Sequence, residues 1–256
     1  MTARPTRVAV LISGTGRTLT NLLERIDRHE LDVNLVAVVS DRPGVRGLDI
    51  AREVGIETHV LPPRDYNFVW EDFSKALNYE LEAHEPDLIV MAGFLSLYKI
   101  PATFTNRVMN IHPSLLPSFA GKGFYGNKVH RAVLDRGVRY TGCTVHFANN
   151  DYDQGPIILQ EIVPVEHGDT VETLAAKVFV KECEAYPRAI RWFHEGRLEV
   201  EGNRVRVLDD DELAQRIARR STEAPSPDDS SGAEAPGATA ADAGEASDTR
   251  GDGDSE

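Results

Sequence analysis

The stretch RVAVLISGTGRT, residues 7–18, decides the fold. Val8 to Ile12 are apolar without interruption, the pattern of a strand covered on both faces. Ser13-Gly14-Thr15-Gly16 then breaks the strand with two glycines. From Thr18 to His29, Leu19, Leu22, Leu23 and Ile26 recur at helical spacing. A buried strand, a glycine turn and an amphipathic helix are the opening of an α/β sheet of parallel strands.

The pattern repeats outward from there. Val33 to Ser40 (VNLVAVVS) is a second buried strand and Gly47 to Val54 a short helix. Thr58 to Leu61 is a brief strand, Trp70 to His84 a long helix, and Asp87 to Ala92 (DLIVMA) another continuous apolar strand. The expected class is α/β: a mostly parallel open sheet with helices on both faces, Rossmann-like in its N-terminal half. The second half differs. Val108 to Ile111 is a strand ending at His112-Pro113, and Tyr125 to Arg136 a helix. Thr141 to Phe147 and Pro156 to Val165 are longer β-rich runs around a polar loop, so a hairpin or two neighbouring strands both fit. Val171 to His194 is a long helix, and Arg197 to Val207 two short strands turning at Glu201-Gly202-Asn203. The boundaries expected are one main domain over 1–208, a terminal helix over 209–220 with aspartates at its start and basic residues at its end, and a tail over 221–256.

Charge supports that division. The 256 residues carry a net charge of −13. The tail holds ten acidic residues and one basic residue, Arg250, leaving 27 basic against 31 acidic residues before it. Built from Ala, Gly, Ser, Asp, Glu and Pro, the tail has too little apolar surface to offset its ordering entropy and is expected to be disordered. The acidic balance argues against general nucleic-acid binding, which needs cations facing phosphates. No apolar run approaches the ~20 residues of a membrane span, and no leader cleavage site follows the first strand. A cytoplasmic location and a monomer or homodimer are expected. Cys143 and Cys183 make neither a metal motif nor a disulfide framework and read as buried small apolar residues.

Two segments carry chemistry. At the helix start, the glycine loop offers backbone N–H groups and a cation, Arg17, to an anion such as phosphate; Thr18 is placed to cap the helix. Without a Lys after Gly16 it is no P-loop, and Leu19 stands where a dinucleotide fingerprint has its third glycine. Asp41, after the second strand, keeps a nucleotide site open as the lesser alternative. The second segment is NIHPSLLP, residues 110–117. Asn110 and His112, two apart at a strand's end, share one face, where open parallel sheets gather ligands. An imidazole exchanges protons near neutrality, and a carboxamide donates to a developing oxyanion. A carboxylate partner must come from elsewhere, and Asp153, before the turn at Gly155-Pro156, is preferred over Asp151. No spacing among the eight histidines marks a metal site.

NIHPSLLP, with SGTGRTL, DLIVMAGF (87–94), TVHFANNDYDQGPIILQ (144–160) and KECEAYP (181–187), resembles the folate-dependent glycinamide ribonucleotide formyltransferases in order and rough spacing, over residues 6–207. The resemblance implies transfer of the formyl group of 10-formyltetrahydrofolate, a co-substrate, to the primary amine of N1-(5-phospho-D-ribosyl)glycinamide in purine biosynthesis. It also implies that the transfer is direct, with no covalent enzyme intermediate and no metal. Asn110, His112 and Asp153 match the catalytic trio. Asn110 and protonated His112 would stabilise the oxyanion, and Asp153 would favour the charged imidazole and help carry the proton. Gly16, Arg17 and Thr18 match the phosphate loop, and Glu182 a glutamate near the substrate's amino end. Leu95, Ser96, Leu97 and Tyr98 match the stretch around the pterin, and Asn149 to Asp153, with Asn110, the folate-binding side.

The loop departs from the common Gly-Ser-Asn form. A cation that some members use for the folate's glutamate tail falls near Trp70, so no tail contact carries over. Gly121 to Gly126, with Lys122 inside it, is expected to be a mobile loop over the substrate. Among relatives of the same chemistry, formyltetrahydrofolate hydrolases carry a domain ahead of the catalytic one, whereas the first strand here begins by Arg7. Methionyl-tRNA formyltransferases add a C-terminal barrel where this chain has an acidic tail. Enzymes acting on sugar-nucleotide amines and a non-catalytic nucleotide-binding module remain as alternatives.

Overall fold

Side chains alternate along a strand, and β1 (Thr6–Ile12) uses that alternation to build two cores. Val8, Val10 and Ile12 pack on one face of the sheet; Ala9 and Leu11 pack on the other. The computed structural model describes residues 4–223. β1 sits between β2 (Val33–Ser40) and β4 (Leu88–Met91), parallel to both. β3 (Thr58–Val60) joins β2 in parallel at one edge, and β5 (Val108–His112) joins β4 in parallel on the other side. Beyond β5 the direction changes. β6 (Tyr140–Phe147) and β7 (Ile157–Pro164) run antiparallel to their preceding neighbours, so the two β-rich runs are adjacent antiparallel strands. β8 (Leu198–Glu201) and β9 (Arg204–Val207) form the expected pair, and β9 meets β7 in parallel. The nine strands form one mixed, mostly parallel sheet in the order β3-β2-β1-β4-β5-β6-β7-β9-β8.

α1 (Arg17–Asp27) and α2 (Arg46–Glu53) cover the Val8 face, with Leu19, Leu22 and Leu48 fully buried. α3 (Trp70–Ala83) covers the Leu11 face with Phe73, Leu77 and Leu81. α4 (Asn127–Arg136) starts two residues later than expected, after Gly126. α5 (Val171–His194) matches its expected bounds and packs on β6 and β7. It opens with a capping box in which Thr170 and Thr173 satisfy each other's backbone N–H groups. Pro187 sits inside it and has no N–H for the Cys183 carbonyl one turn back. That carbonyl is taken by α1, where Asn21 Nδ2 donates at 3.1 Å and Arg25 Nη2 at 3.4 Å.

Several expectations change. Two 3-10 turns, Pro63–Tyr66 and Ala102–Phe104, carry no periodicity long enough to read. Cys143 is fully buried, and burial pushes its thiol up to about 12, whereas Cys183 is only half-buried on α5. Thr18 does not cap α1. The cap is Gly16, in the left-handed region at φ 76°, and Thr18 is already the second helical residue. Gly16 needs to be glycine twice over, since a Cβ there would also lie 2.6 Å from the Gly47 Cα.

The chain groups into a unit over residues 1–215, which holds the whole sheet and α1 to α5, and a second from 216 onward. The closing helix α6 runs Asp210–Glu223, three residues past its expected end. The expected disordered tail otherwise falls on 224–256, outside the described residues. Among the described residues no helix is long and apolar enough to cross a membrane.

Candidate active site

β5 ends where the sheet changes from parallel to antiparallel, and a cavity of about 530 Å³ opens there. Its walls come from the α1 N-terminus, the ends of β4 and β5, the 121–128 segment, the Asp153 turn and α5. This is the kind of place, and size, at which open α/β sheets hold small molecules.

Asn110 and His112 both line the cavity, and the 153 turn brings Asp153 to them. Asp153 adopts φ 57°, a left-handed conformation that aspartate tolerates in turns. Its Oδ2 accepts a hydrogen bond from the Gly121 N–H at 2.9 Å. Its Oδ1 lies 3.5 Å from His112 Nδ1 and 3.5 Å from Asn110 Nδ2. The three side chains meet although the trio spans 43 residues of sequence. His112 is almost wholly buried, and its Nε2–H donates to the Phe119 carbonyl at 2.9 Å. A carbonyl only accepts, so this contact fixes a proton on Nε2 and turns Nδ1 toward Asp153.

A fourth residue completes the group. In the antiparallel register Asn110 stands opposite His146. His146 is buried; its Nδ1–H donates to the Phe147 carbonyl at 3.0 Å, and its Nε2 accepts from Asn110 Nδ2 at 3.2 Å. Burial lowers the imidazole's pKa and outweighs the opposing pull of the Phe147 carbonyl and Asp153. A neutral ring with one lone pair facing Asn110 sets which way the carboxamide points. The sequence reading passed over His146; its signal is the β5–β6 pairing, which needs the register of both strands. It passed over His130 as well, on α4. His130 is buried beside the cavity, its Nδ1 has no hydrogen-bond partner among the described residues, and burial, then the His112 charge, lowers its pKa.

At the other end of the cavity, Arg17 and Thr18 lie at the start of α1. Their N–H groups precede the first helical bond, Thr20 N–H to the Gly16 carbonyl at 2.8 Å, and among the described residues they have no hydrogen-bond acceptor, the state in which a helix start can take an anion. The Arg17 guanidinium lies 3.6 Å from the centre of the Phe179 ring on α5, a cation–π contact. One helical turn on, Glu182 faces the same cavity. It keeps some open surface but is packed round by protein, and loss of water pushes its carboxyl up to about 7 against the pull of Arg17. A carboxylate held near neutrality beside an anion-binding helix end suits a ligand with phosphate at one point and an amine at another.

The remaining expected contacts divide. Leu95 lines the cavity. Ser96 turns away, donating to the buried Asp41 Oδ2 at 2.6 Å. That bond takes one oxygen of the Asp41 carboxylate; the other, Oδ1, has no hydrogen-bond partner among the described residues. Leu97 lies outside the cavity wall; Tyr98 is buried with its hydroxyl donating to Asn78 Oδ1 at 2.5 Å, where burial raises its pKa. Asn149 is exposed and accepts the Asp151 N–H at 3.0 Å in a local turn. Gly16 shapes the loop from behind the wall, against Gly47. Lys122 lines the cavity, in a segment that the Gly121–Asp153 bond ties to the trio.

The profile of the formyl transferase family matches residues 6–190. The chain belongs to the formyl transferase family. Among curated relatives it is 35% identical, over 198 residues, to the phosphoribosylglycinamide formyltransferase of Escherichia coli strain K12, covering 77% of this chain and 91% of that one. It is 42% identical over 196 residues to the trifunctional purine biosynthetic protein adenosine-3 of Gallus gallus, covering 76% of this chain. The match spans only 19% of that longer protein's length. Among solved structures, glycinamide ribonucleotide transformylase 1 of Symbiobacterium toebii superposes with a TM-score of 0.75 at 42% identity, covering 81% of this chain and 96% of that one.

Proposed function

We propose that this formyl transferase moves the formyl group of 10-formyltetrahydrofolate to the primary amine of N1-(5-phospho-D-ribosyl)glycinamide, giving the N-formyl product and tetrahydrofolate for purine biosynthesis in the cytoplasm. One observation carries the reading: Asn110, His112 and Asp153 converge in a cavity whose far wall has the N-terminus of α1 and Arg17 beside Glu182, whose carboxyl pKa burial raises. Arg17, Thr18 and their N–H groups would hold the phosphate. Glu182 would accept hydrogen bonds from the glycinamide amine and align it for attack.

The chemistry then falls to the trio. Asn110 Nδ2 and the imidazole would stabilise negative charge on the formyl oxygen as the amine adds. Their contacts with Asp153, both at 3.5 Å, are at the limit of a hydrogen bond and are the ones an incoming oxygen can replace. Asp153 stays behind to take part in moving the proton from the attacking nitrogen to the departing folate nitrogen. His146 holds the carboxamide in its donating orientation throughout.

The test is a spectrophotometric formyl-transfer assay on the full chain, with 10-formyltetrahydrofolate and a panel of phosphorylated amines. Turnover should be greatest with the glycinamide ribonucleotide, and His112→Ala should lower kcat by about 100-fold or more. Equal ligand binding by wild type and variant with no turnover in either would favour the non-catalytic module. A preferred amine other than the glycinamide ribonucleotide would reassign the acceptor.

A further inference from the structure

Away from the cavity, Glu57, His59, His84 and Glu80 form a cluster that the formyl-transfer chemistry does not use. His59 lies on the edge strand β3 and His84 is the C-cap of α3. The two are 25 residues apart, which is why no spacing rule finds them. Their Nε2 atoms stand 2.9 Å from each other. Glu57 Oε1 is 3.5 Å from His59 Nε2, and Glu57 Oε2 is 3.9 Å from His84 Nδ1. One donor atom from each of the three lies within 4.8 Å of the others.

We propose that Glu57, His59 and His84 form a binding site for a divalent transition metal of the zinc class, with Glu80 orienting His59. Four features support this. Two imidazoles and a carboxylate are a donor set suited to zinc, cobalt or nickel rather than to magnesium or calcium. Donors on a tetrahedron with bonds of about 2.0–2.1 Å stand roughly 3.3 Å apart, so small side-chain shifts would seat an ion. His59 Nδ1 is 3.0 Å from Glu80 Oε2, the carboxylate–histidine pairing that fixes a ligating ring with its other nitrogen toward the metal.

The backbone on both sides is also held in advance. β3 is pinned by its ladder to β2, with His59 paired to Val39. The His84 carbonyl accepts from Arg7 Nη2 at 2.7 Å, and that of Glu85 from Arg7 Nε at 3.1 Å. Both rings are mostly buried while Glu57 is largely exposed, so an ion would enter from the Glu57 side with water in its fourth position. A metal there would staple the sheet's edge strand to the end of α3. None of the four residues lines the formyl-transfer cavity, so the site does not depend on the proposed activity.

Cobalt(II) added to the chelator-stripped full-length protein is the test. The chain's many carboxylates bind cobalt weakly in six-coordinate, pale form, whereas this site should give the intense d–d absorption of four-coordinate cobalt. One equivalent should saturate it, zinc should abolish it, and zinc should shift the His59 and His84 imidazole resonances in the wild type. Glu80→Gln should weaken cobalt binding about 10- to 100-fold, and the His59→Gln/His84→Gln double variant should lose the spectrum. A wild-type protein showing only pale six-coordinate bands, or zinc-induced shifts at other histidines alone, overturns the proposal without any variant having to fold. So does a four-coordinate spectrum that survives in the folded double variant.

Discussion

Replacing Glu182 by Gln should make this protein more stable above neutral pH and less active. Glu182 sits on α5 in the cavity wall with its carboxyl raised from an ordinary 4.5 to about 7 by loss of water. Because the folded-state value lies above the unfolded one, the favourable state is the protonated one. Its contribution is fully present below about pH 4.5 and lost as pH rises through about 7. At about 1.4 kcal/mol per pKa unit, the displacement caps the penalty at pH 8 at about 3 kcal/mol. Since the carboxylate keeps some surface on the cavity, about 1–2 kcal/mol is the expected net gain from Gln, which keeps the shape without the charge. Urea unfolding of both proteins at pH 4.5, 6 and 8 reads this directly. The two midpoints should coincide at pH 4.5 and separate progressively toward pH 8, with Gln the more stable. The same variant should raise KM for the amine substrate. Curves that stay parallel at every pH would refute the desolvation argument, and a KM left unchanged would remove Glu182 from the amine site.

Three other substitutions test the frame around the site. His146→Leu keeps the volume but removes the acceptor for Asn110 Nδ2; steady-state kinetics should show kcat about 10- to 100-fold lower with both KM values little changed, and an unaltered kcat would end its positioning role. Tyr186→Phe strips the buried hydroxyl that donates to the Met109 carbonyl at 2.8 Å and the Met91 carbonyl at 3.1 Å. It should cost about 1–3 kcal/mol in chemical denaturation, and a loss below about 0.5 kcal/mol would mean water replaces it. Gly47→Ala puts a Cβ 2.6 Å from Ile12 Cδ1 and 3.2 Å from the Gly16 Cα; it should lower Tm and weaken phosphate-ligand binding together in calorimetry, and a lower Tm with binding intact would separate packing from the loop.

Local pattern was enough for the strands and α-helices of the first half. Unbroken apolar runs such as Val8–Ile12 have one simple interpretation, and the helices between them repeat at fixed spacing. The 3-10 turns were invisible because three or four residues hold no period. The cap of α1 was misjudged because a threonine near a helix start is the commoner device, whereas here Gly16, left-handed and pressed against Gly47, is the cap. Of the site, residues on one strand end, Asn110 and His112, were legible from spacing alone. Asp153 was legible as a turn residue and as the preferred carboxylate partner, but its distance from His112 depends on how the 153 turn folds over the end of β5. His146 and the Glu57–His59–His84 group were not legible, because each depends on which strands and helix ends become neighbours.

Pro187 interrupts α5 at one carbonyl, and α1 supplies the donors that carbonyl lacks. The two helices so joined are the ones that bear Arg17 and Glu182, the proposed grips for opposite ends of one small molecule. A helix that completed its own ladder at this turn would make Asn21 and Arg25 share that acceptor, and the distance between the grips would rest more on the Arg17–Phe179 contact and on packing. The missing amide thus works as a hitch between the two halves of a caliper, keeping the gap at a set width where a self-sufficient helix could slide.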